Sequence, residues 1–198
     1  KSEKELISRV DKVLSAACKM EAIDIIVIAC NSASTLALPH IRNNFKQPVV
    51  GVVPAIKPAA QMSQNKRIGL LATPGTVSRS YTQQLISDFA SNCRITSVGS
   101  SSLVELAEQK LRGATIKQAQ LQSILKPFEN TGIDTLILAC THFPLLKEEI
   151  QTYFGSTVSL VDSADAIARR IAQLLKDMAI KTAPKKANNS LFTAKNID

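Results

Sequence analysis

Two stretches of the sequence share one pattern: DIIVIACNSAS at residues 24–34 and DTLILACTHFP at residues 134–144. Each begins with an aspartate, continues through an aliphatic run and reaches Ala-Cys followed by a small polar residue. A short aliphatic run of this kind predicts a strand buried on both faces, as in parallel sheets. The shared pattern I-D-x-x-x-x-A-C therefore predicts an internal pseudo-repeat that places Cys30 and Cys140 at the carboxyl ends of two strands.

Strand patterns alternate with helix patterns along the rest of the chain, which predicts an α/β fold with mostly parallel sheets flanked by helices. We expect two pseudo-symmetric lobes with the active site in the cleft between them. The first lobe would contain residues 1–65 and 162–180, the second residues 66–161, and residues 181–198 would form a basic disordered tail. Among the helices, we expect one at residues 77–89, one capped by Ser32 or Ser34, and one capped by Ser163.

Composition excludes several classes of protein. The 198 residues are 45% apolar and 20% charged, which is ordinary for a globular protein, and no apolar run approaches the length of a membrane span. The net charge of +8 is accompanied by only 4% aromatic residues and no Trp, which argues against a nucleic-acid partner. Four cysteines without a CxxC motif predict free thiols in a reducing cytoplasm.

The positions of the two repeated cysteines indicate a ligand site, because ligands of open α/β sheets bind at the carboxyl ends of the strands. The helices that follow would point their amino termini at the same region, which favours bound anions and lowers the pKa of a thiol. A zinc site is the rival use of Cys140 and His142, with Cys30 as a distant third ligand. Structural zinc usually takes four ligands in close pairs, so we expect no metal.

Two thiols on opposite sides of a carbon atom suit proton removal from one face and proton return to the other, which inverts a stereocentre. Such a reaction needs no cofactor in principle if hydrogen bonds in a dry site stabilise the carbanion. Polar side chains beside both cysteines, and others at a third strand end, can hold a carboxylate. These candidate binding residues are Asn31, Ser32, Thr73, Thr76, Thr141 and His142.

Four motifs resemble the aspartate/glutamate racemase family: ACNSAS at 29–34, LLATPGTVSRSYT at 70–82, ACTHFPLL at 139–146 and LVDSADAIARR at 160–170. Within it, the Thr-His-Phe-Pro version resembles the glutamate racemases. The resemblance implies interconversion of L- and D-glutamate without cofactor or metal, supplying D-glutamate for peptidoglycan. Cys30 and Cys140 would be the two proton donors and acceptors. Family members commonly form dimers, so a homodimer is one expected partner beside the small-molecule substrate.

The sequence departs from the family pattern at its beginning. The family starts with strands that end in Asp-Ser-Gly and Pro-Tyr-Gly motifs, and neither motif occurs here. We therefore expect that an amino-terminal segment is missing and that the chain alone is weakly active or inactive. Two alternatives stay open: a related racemase acting on aspartate, a hydantoin or another dicarboxylate, and a non-catalytic binding protein on the racemase fold.

Overall fold

The computed structural model describes residues 2–178, and the predicted disordered tail lies outside the described residues. The described strands are Ile26–Ile28 (β1), Val49–Gly51 (β2), Arg67–Ala72 (β3), Arg94–Gly99 (β4), Thr135–Ala139 (β5) and Ser159–Val161 (β6). The described α-helices are Glu3–Met20 (α1), Asn31–Asn44 (α2), Ile56–Met62 (α3), Pro74–Ser78 (α4), Ser80–Phe89 (α5), Ser102–Leu111 (α6), Gln118–Leu125 (α7), Lys147–Phe154 (α8) and Ala164–Asp177 (α9). Short 3₁₀ turns cover Lys126–Phe128, Phe143–Leu146 and Gly155–Thr157.

The strands form two parallel sheets, which confirms the predicted α/β architecture. β1 pairs with β2, and a second sheet has the order β4-β3-β5-β6. All pairs are parallel, so the connections between neighbouring strands run through helices. Within residues 2–178, no helix is both long enough and apolar enough to cross a membrane.

The four-stranded sheet is covered on both faces, which explains its continuous aliphatic strands. Ile68 and Leu70 of β3 point to one face, where α3 and α5 pack. Leu71 points to the other face, where α6, α7 and α8 pack. The smaller sheet buries Ile26 and Ile28 against α1 and α2. Residues 2–178 therefore contain three hydrophobic clusters, one on each face of the four-stranded sheet and one against the smaller sheet.

The predicted boundaries of the lobes stay a prediction, but the packing of α3 bears on them. Ala55, Ile56, Ala59 and Ala60 pack in the core of the four-stranded sheet, although the sequence interpretation assigned them to the first lobe. The chain crosses between the sheets in the residues just before α3. We propose that α3 belongs to the second lobe.

The helix after β1 begins earlier than predicted. Cys30, in an extended conformation, is the residue that precedes α2, and the helix starts at Asn31. Neither serine caps it, because both hydroxyl groups have other partners. Ser34 donates to the carbonyl oxygen of Ile28 at 3.0 Å, and Ser32 bonds to the second lobe. The predicted serine cap is therefore wrong.

Two further helix predictions are corrected. The helix predicted at residues 77–89 is interrupted at Arg79, whose extended backbone separates α4 from α5. Ser163 does precede α9, but its side chain does not cap the helix. Its hydroxyl donates to the carbonyl oxygen of Val53 at 2.6 Å instead. Ser163 thus connects the two chain segments that cross between the lobes.

Candidate active site

The register of the second sheet brings two of the predicted site segments together. Ala72 of β3 pairs with Ala139 of β5, so the next residues, Thr73 and Cys140, begin neighbouring loops at the same edge. Cys30 follows β1 in the first lobe and is exposed. Cys140 is buried, with 7% of its surface exposed. The two repeated cysteines therefore occupy equivalent places in two sheets but differ in their access to water.

Three hydroxyl groups form what we call the hydroxyl cluster: Ser32, Thr73 and Thr76. The Ser32 oxygen lies 2.8 Å from that of Thr73 and 3.1 Å from that of Thr76, and the two threonine oxygens are 3.0 Å apart. Ser32 comes from α2 in the first lobe, whereas both threonines follow β3 in the second. The cluster therefore joins the lobes, and hydroxyl groups that now bond to one another can turn outward to donate to a carboxylate.

A chain of three side chains leads away from the buried thiol. The sulfur of Cys140 lies 3.9 Å from Nδ1 of His142, and Nε2 of the same ring lies 2.7 Å from a carboxylate oxygen of Glu108. A carboxylate accepts from an N–H, so this short contact favours the tautomer with hydrogen on Nε2. Nδ1 then presents a lone pair toward the thiol. His142 is thus arranged to accept the proton of Cys140.

The electrostatic environment of Cys140 favours the thiol over the thiolate. Burial raises its pKa above the ordinary value, and a negative charge on Cys30 raises it further. Backbone N–H groups of His142 and Phe143 act in the opposite direction without outweighing burial. The expectation of a lowered pKa is therefore wrong for this cysteine. The cause is burial, which outweighs the N–H groups of the 3₁₀ turn that follows Cys140.

A cavity of about 290 Å³ lies beside Cys140 and is bounded by both lobes. Its walls include Asn31 and Thr141, two of the predicted binding residues. The side-chain nitrogen of Asn31 is buried and has no hydrogen-bond partner among residues 2–178. An unpaired buried amide is costly, and a bound acceptor such as a carboxylate oxygen would satisfy it. Cys30 does not line this cavity; its link to the site is its electrostatic effect on Cys140.

Three residues near the site were not predicted: Glu108, Asp162 and Ser163. Asp162 and Ser163 line the cavity just after β6, and the argument from polar residues at strand ends would have found them. Glu108 lies on α6 and meets His142 only in the folded chain, so no local sequence pattern reveals it. Within residues 2–178, no three His, Cys, Asp or Glu side chains are grouped so that they could hold a metal ion.

The sequence and the fold are similar to those of known proteins. A sequence model of the Asp/Glu/Hydantoin racemase family matches residues 2–171. The chain belongs to this family. That match includes every predicted site residue of the chain. Among individual members of the Asp/Glu/Hydantoin racemase family, the glutamate racemase of Shewanella loihica is 56% identical over 174 residues, covering 88% of this chain and 65% of that protein.

Two further members of the Asp/Glu/Hydantoin racemase family are similar over a comparable share of the chain. The glutamate racemase of Vibrio cholerae is 53% identical over 174 residues, or 88% of this chain and 65% of that protein. The crystal structure of Escherichia coli glutamate racemase with L-glutamate and the activator UDP-MurNAc-ala matches with a TM-score of 0.83 at 49% identity. This structural match covers 89% of the present chain and 67% of the Escherichia coli chain. The chain thus spans about two thirds of the length of these relatives.

Proposed function

We propose that the protein interconverts L- and D-glutamate by a two-thiol mechanism that uses no cofactor. The observation that carries the proposal is the pair of cysteines after equivalent strands of two sheets, close enough for charge on Cys30 to raise the pKa of Cys140. Glutamate is favoured over other substrates because the relatives described above are glutamate racemases.

In the proposed reaction, one cysteine acts as a thiolate and the other as a thiol. The thiolate takes the proton from Cα, and the electron pair of the broken C–H bond remains on a carbanion. The opposite thiol then gives its proton to the other face of Cα and becomes the thiolate. The reverse reaction exchanges the two roles, so each cysteine is a base in one direction and an acid in the other.

His142 and Glu108 have a supporting role in this scheme. Because the pKa of Cys140 is raised by burial, this cysteine needs a nearby base before it can remove a proton. His142 receives the thiol proton at Nδ1, and the carboxylate of Glu108 stabilises the resulting imidazolium. When Cys140 acts as the acid, it starts in its favoured protonated form.

The substrate would be held by its two carboxylates. The hydroxyl cluster offers hydroxyl donors, and Asn31 and Thr141 offer an amide and a hydroxyl on the cavity wall. Hydrogen bonds to the α-carboxylate also spread the negative charge of the carbanion, and exclusion of water strengthens them.

The test is incubation with L-glutamate in deuterated water, with the product separated by chiral chromatography and its Cα hydrogen measured by NMR. A two-base reaction gives D-glutamate that carries deuterium, while the L-glutamate recovered early keeps its proton. D-Glutamate is tested in the same way in the reverse direction. Equal early incorporation of deuterium into substrate and product would contradict two separate bases. Activity only with aspartate or a hydantoin would show that the protein is a related racemase with a different substrate.

Single variants connect the reaction to the two thiols. We expect Cys30→Ala and Cys140→Ala to abolish racemisation, whereas Cys18→Ser, a cysteine on α1, keeps it. The assay is run on the chain itself and on a version extended at its amino terminus with the corresponding segment of the Shewanella loihica relative. Activity in the extended version alone would support the function and identify the added segment as necessary. Inactivity of both versions would refute the proposal.

We further propose that the product supplies D-glutamate for peptidoglycan and that the protein acts in the cytoplasm. The relatives named as glutamate racemases and the four free cysteines support these points. Rescue of a D-glutamate-requiring bacterial strain by the expressed gene tests the first, and cell fractionation tests the second. A homodimer stays a prediction, which sedimentation measurements at several concentrations check.

A further inference from the structure

Helix α6 touches the segment that carries the buried thiol at two polar points. We call residues 140–146 the thiol turn. Glu108 bonds to the ring of His142 near its beginning, as described above. Lys110, two residues further along α6, donates to the carbonyl oxygen of Leu145 near its end, at 2.8 Å. One helix therefore holds both the side chain that serves the thiol and the backbone of the turn.

Lys110 stands at a position where an apolar residue is expected. It continues the stripe formed by Leu103, Leu106 and Ala107, which are buried against the core on the thiol-turn side of the sheet. Its side chain is only 32% exposed, and its ammonium group lies 2.7 Å from a carboxylate oxygen of Glu149. A charge on the apolar stripe of a helix costs desolvation, so its presence suggests a role beyond the filling of space.

Backbone hydrogen bonds connect Leu145 to the thiol. The N–H of Leu145 donates to the carbonyl oxygen of His142 at 3.1 Å, and the N–H of Phe143 donates to that of Cys140 at 3.0 Å. The ring of His142 and the sulfur of Cys140 therefore belong to one tightly wound segment, and Lys110 fixes the far end of that segment. A shift of Leu145 would move the ring relative to the sulfur, and the contact between them is already long at 3.9 Å.

We propose that Lys110 is a positioning residue of the proposed racemisation, which acts by fixing the thiol turn so that His142 faces Cys140. The inference rests on the proposed function for its kinetic consequences. Its structural content, the position and protection of Cys140, is independent of which substrate is used. Lys110 itself lies outside the reacting atoms and exchanges no proton with substrate.

The kinetic test replaces the ammonium group and keeps the aliphatic stem. We expect Lys110→Met to lower kcat about tenfold with little change in KM, because misplacement of a reacting group affects the chemical step more than binding. Lys110→Arg keeps donors and charge and is expected to restore most of kcat. The matched control is Lys147→Met, the same change at an exposed lysine of α8. Wild-type kcat in Lys110→Met would overturn the proposal.

A second measurement does not depend on racemase activity. Iodoacetamide is added, and alkylation of Cys140 and Cys30 is followed by peptide mass spectrometry. A loosened turn exposes Cys140, so we expect its rate relative to that of Cys30 to rise at least about threefold in Lys110→Met and to stay unchanged in Lys147→Met. If Lys110→Met unfolds, Cys18 and Cys93 are alkylated rapidly as well, and Lys110→Gln is used in its place.

The two measurements separate the possible failures. If the wild-type protein racemises nothing, the proposed function fails, and the alkylation ratio still decides whether Lys110 fixes the turn. If racemisation occurs and neither kcat nor the ratio changes in the lysine variants, the function stands and Lys110 is only an ion-pair partner of Glu149.

Discussion

Substitution of Asp134 by asparagine tests how β5 is anchored at its start, the end opposite Cys140. One carboxylate oxygen accepts from the hydroxyls of Ser63 at 2.6 Å and Thr135 at 2.9 Å. The other accepts from the backbone N–H groups of Gln64 at 2.7 Å and Asn65 at 2.8 Å. The carboxylate thus ties the loop between α3 and β3 to the start of β5.

The size of the effect follows from what an amide can retain. An asparagine can point its oxygen at the two backbone N–H groups and its nitrogen at the two hydroxyls, which rotate to accept. The contacts then survive without charge. Hydrogen bonds to a charged group contribute about 1 kcal/mol more than neutral ones, and solvent screening of this partly exposed carboxylate reduces the difference to about 0.5 kcal/mol for each of the four contacts. We expect Asp134→Asn to lower the free energy of unfolding by about 2 kcal/mol, and Asp134→Ala, which loses every contact, by about 3–4 kcal/mol.

The assay is urea unfolding of the wild type and Asp134→Asn over a series of pH values. Partial burial by itself would raise the pKa of Asp134, but the hydrogen bonds from Ser63, Asn65, Thr135 and Gln64 together hold it below its ordinary value. The stabilisation is therefore present above the unfolded pKa of about 3.9 and is lost as the pH falls through the lower folded pKa. The difference between the two proteins should be constant from pH 7 to 5 and shrink below about pH 4.

The pseudo-repeat supplies a matched control. Asp24 has the equivalent place in the first segment but is exposed, so Asp24→Asn should leave the unfolding curve unchanged. A difference between wild type and Asp134→Asn that persists or widens in acid would refute the assignment of the stabilisation to the carboxylate charge. An equal effect of both substitutions would refute the argument from the local contacts.

Three further substitutions test other parts of the site and fold. Glu108→Gln removes the charge that stabilises protonated His142, so kcat should fall about tenfold in steady-state assays. Thr76→Val keeps the shape but removes one member of the hydroxyl cluster, so we expect a higher KM for glutamate, and thermal unfolding measures the stability lost with the buried hydroxyl. Gly99→Ala would place a Cβ 2.8 Å from the backbone of Pro74, so it should destabilise the protein by about 1–3 kcal/mol, measured by urea unfolding; a neutral result would contradict the tight packing.

The sequence predicted the elements well where periodicity alone determines them. The aliphatic run at residues 67–72 predicts a strand, and the amphipathic pattern at residues 102–111, followed by Gly113, predicts a helix. Elements β3 and α6 have these bounds. Predictions that depended on competition for hydrogen bonds were less successful. Ser32 and Ser163 were expected to cap helices, but each hydroxyl has a partner from a distant part of the chain. Local propensity cannot identify such a partner.

The candidate site shows the same division. The argument from strand ends selected Thr73, Thr76, Cys140 and Asn31. The fold places Asn31 and Cys140 on the wall of one cavity, and it places the two threonines in the hydroxyl cluster with Ser32. Their catalytic and binding roles stay predictions. The partnership of Glu108 with His142 was inaccessible because a glutamate on a helix surface looks the same in the sequence whether or not a ring lies opposite it.

The two cysteine segments are alike in sequence up to the cysteine and differ after it, and this difference explains the asymmetry of the site. After Cys30 the chain enters an α-helix at once, which leaves the thiol exposed at the helix start. After Cys140 a 3₁₀ turn buries Phe143 in the core and covers the thiol. Burial raises the pKa of the Cys140 thiol, so in the proposed reaction Cys140 would need His142 in order to act as a base. The exposed Cys30 thiol would need bound substrate to exclude water. The repeated strand motif therefore places a cysteine thiol at the end of each of two strands. The residues that follow each cysteine determine how far its thiol is buried.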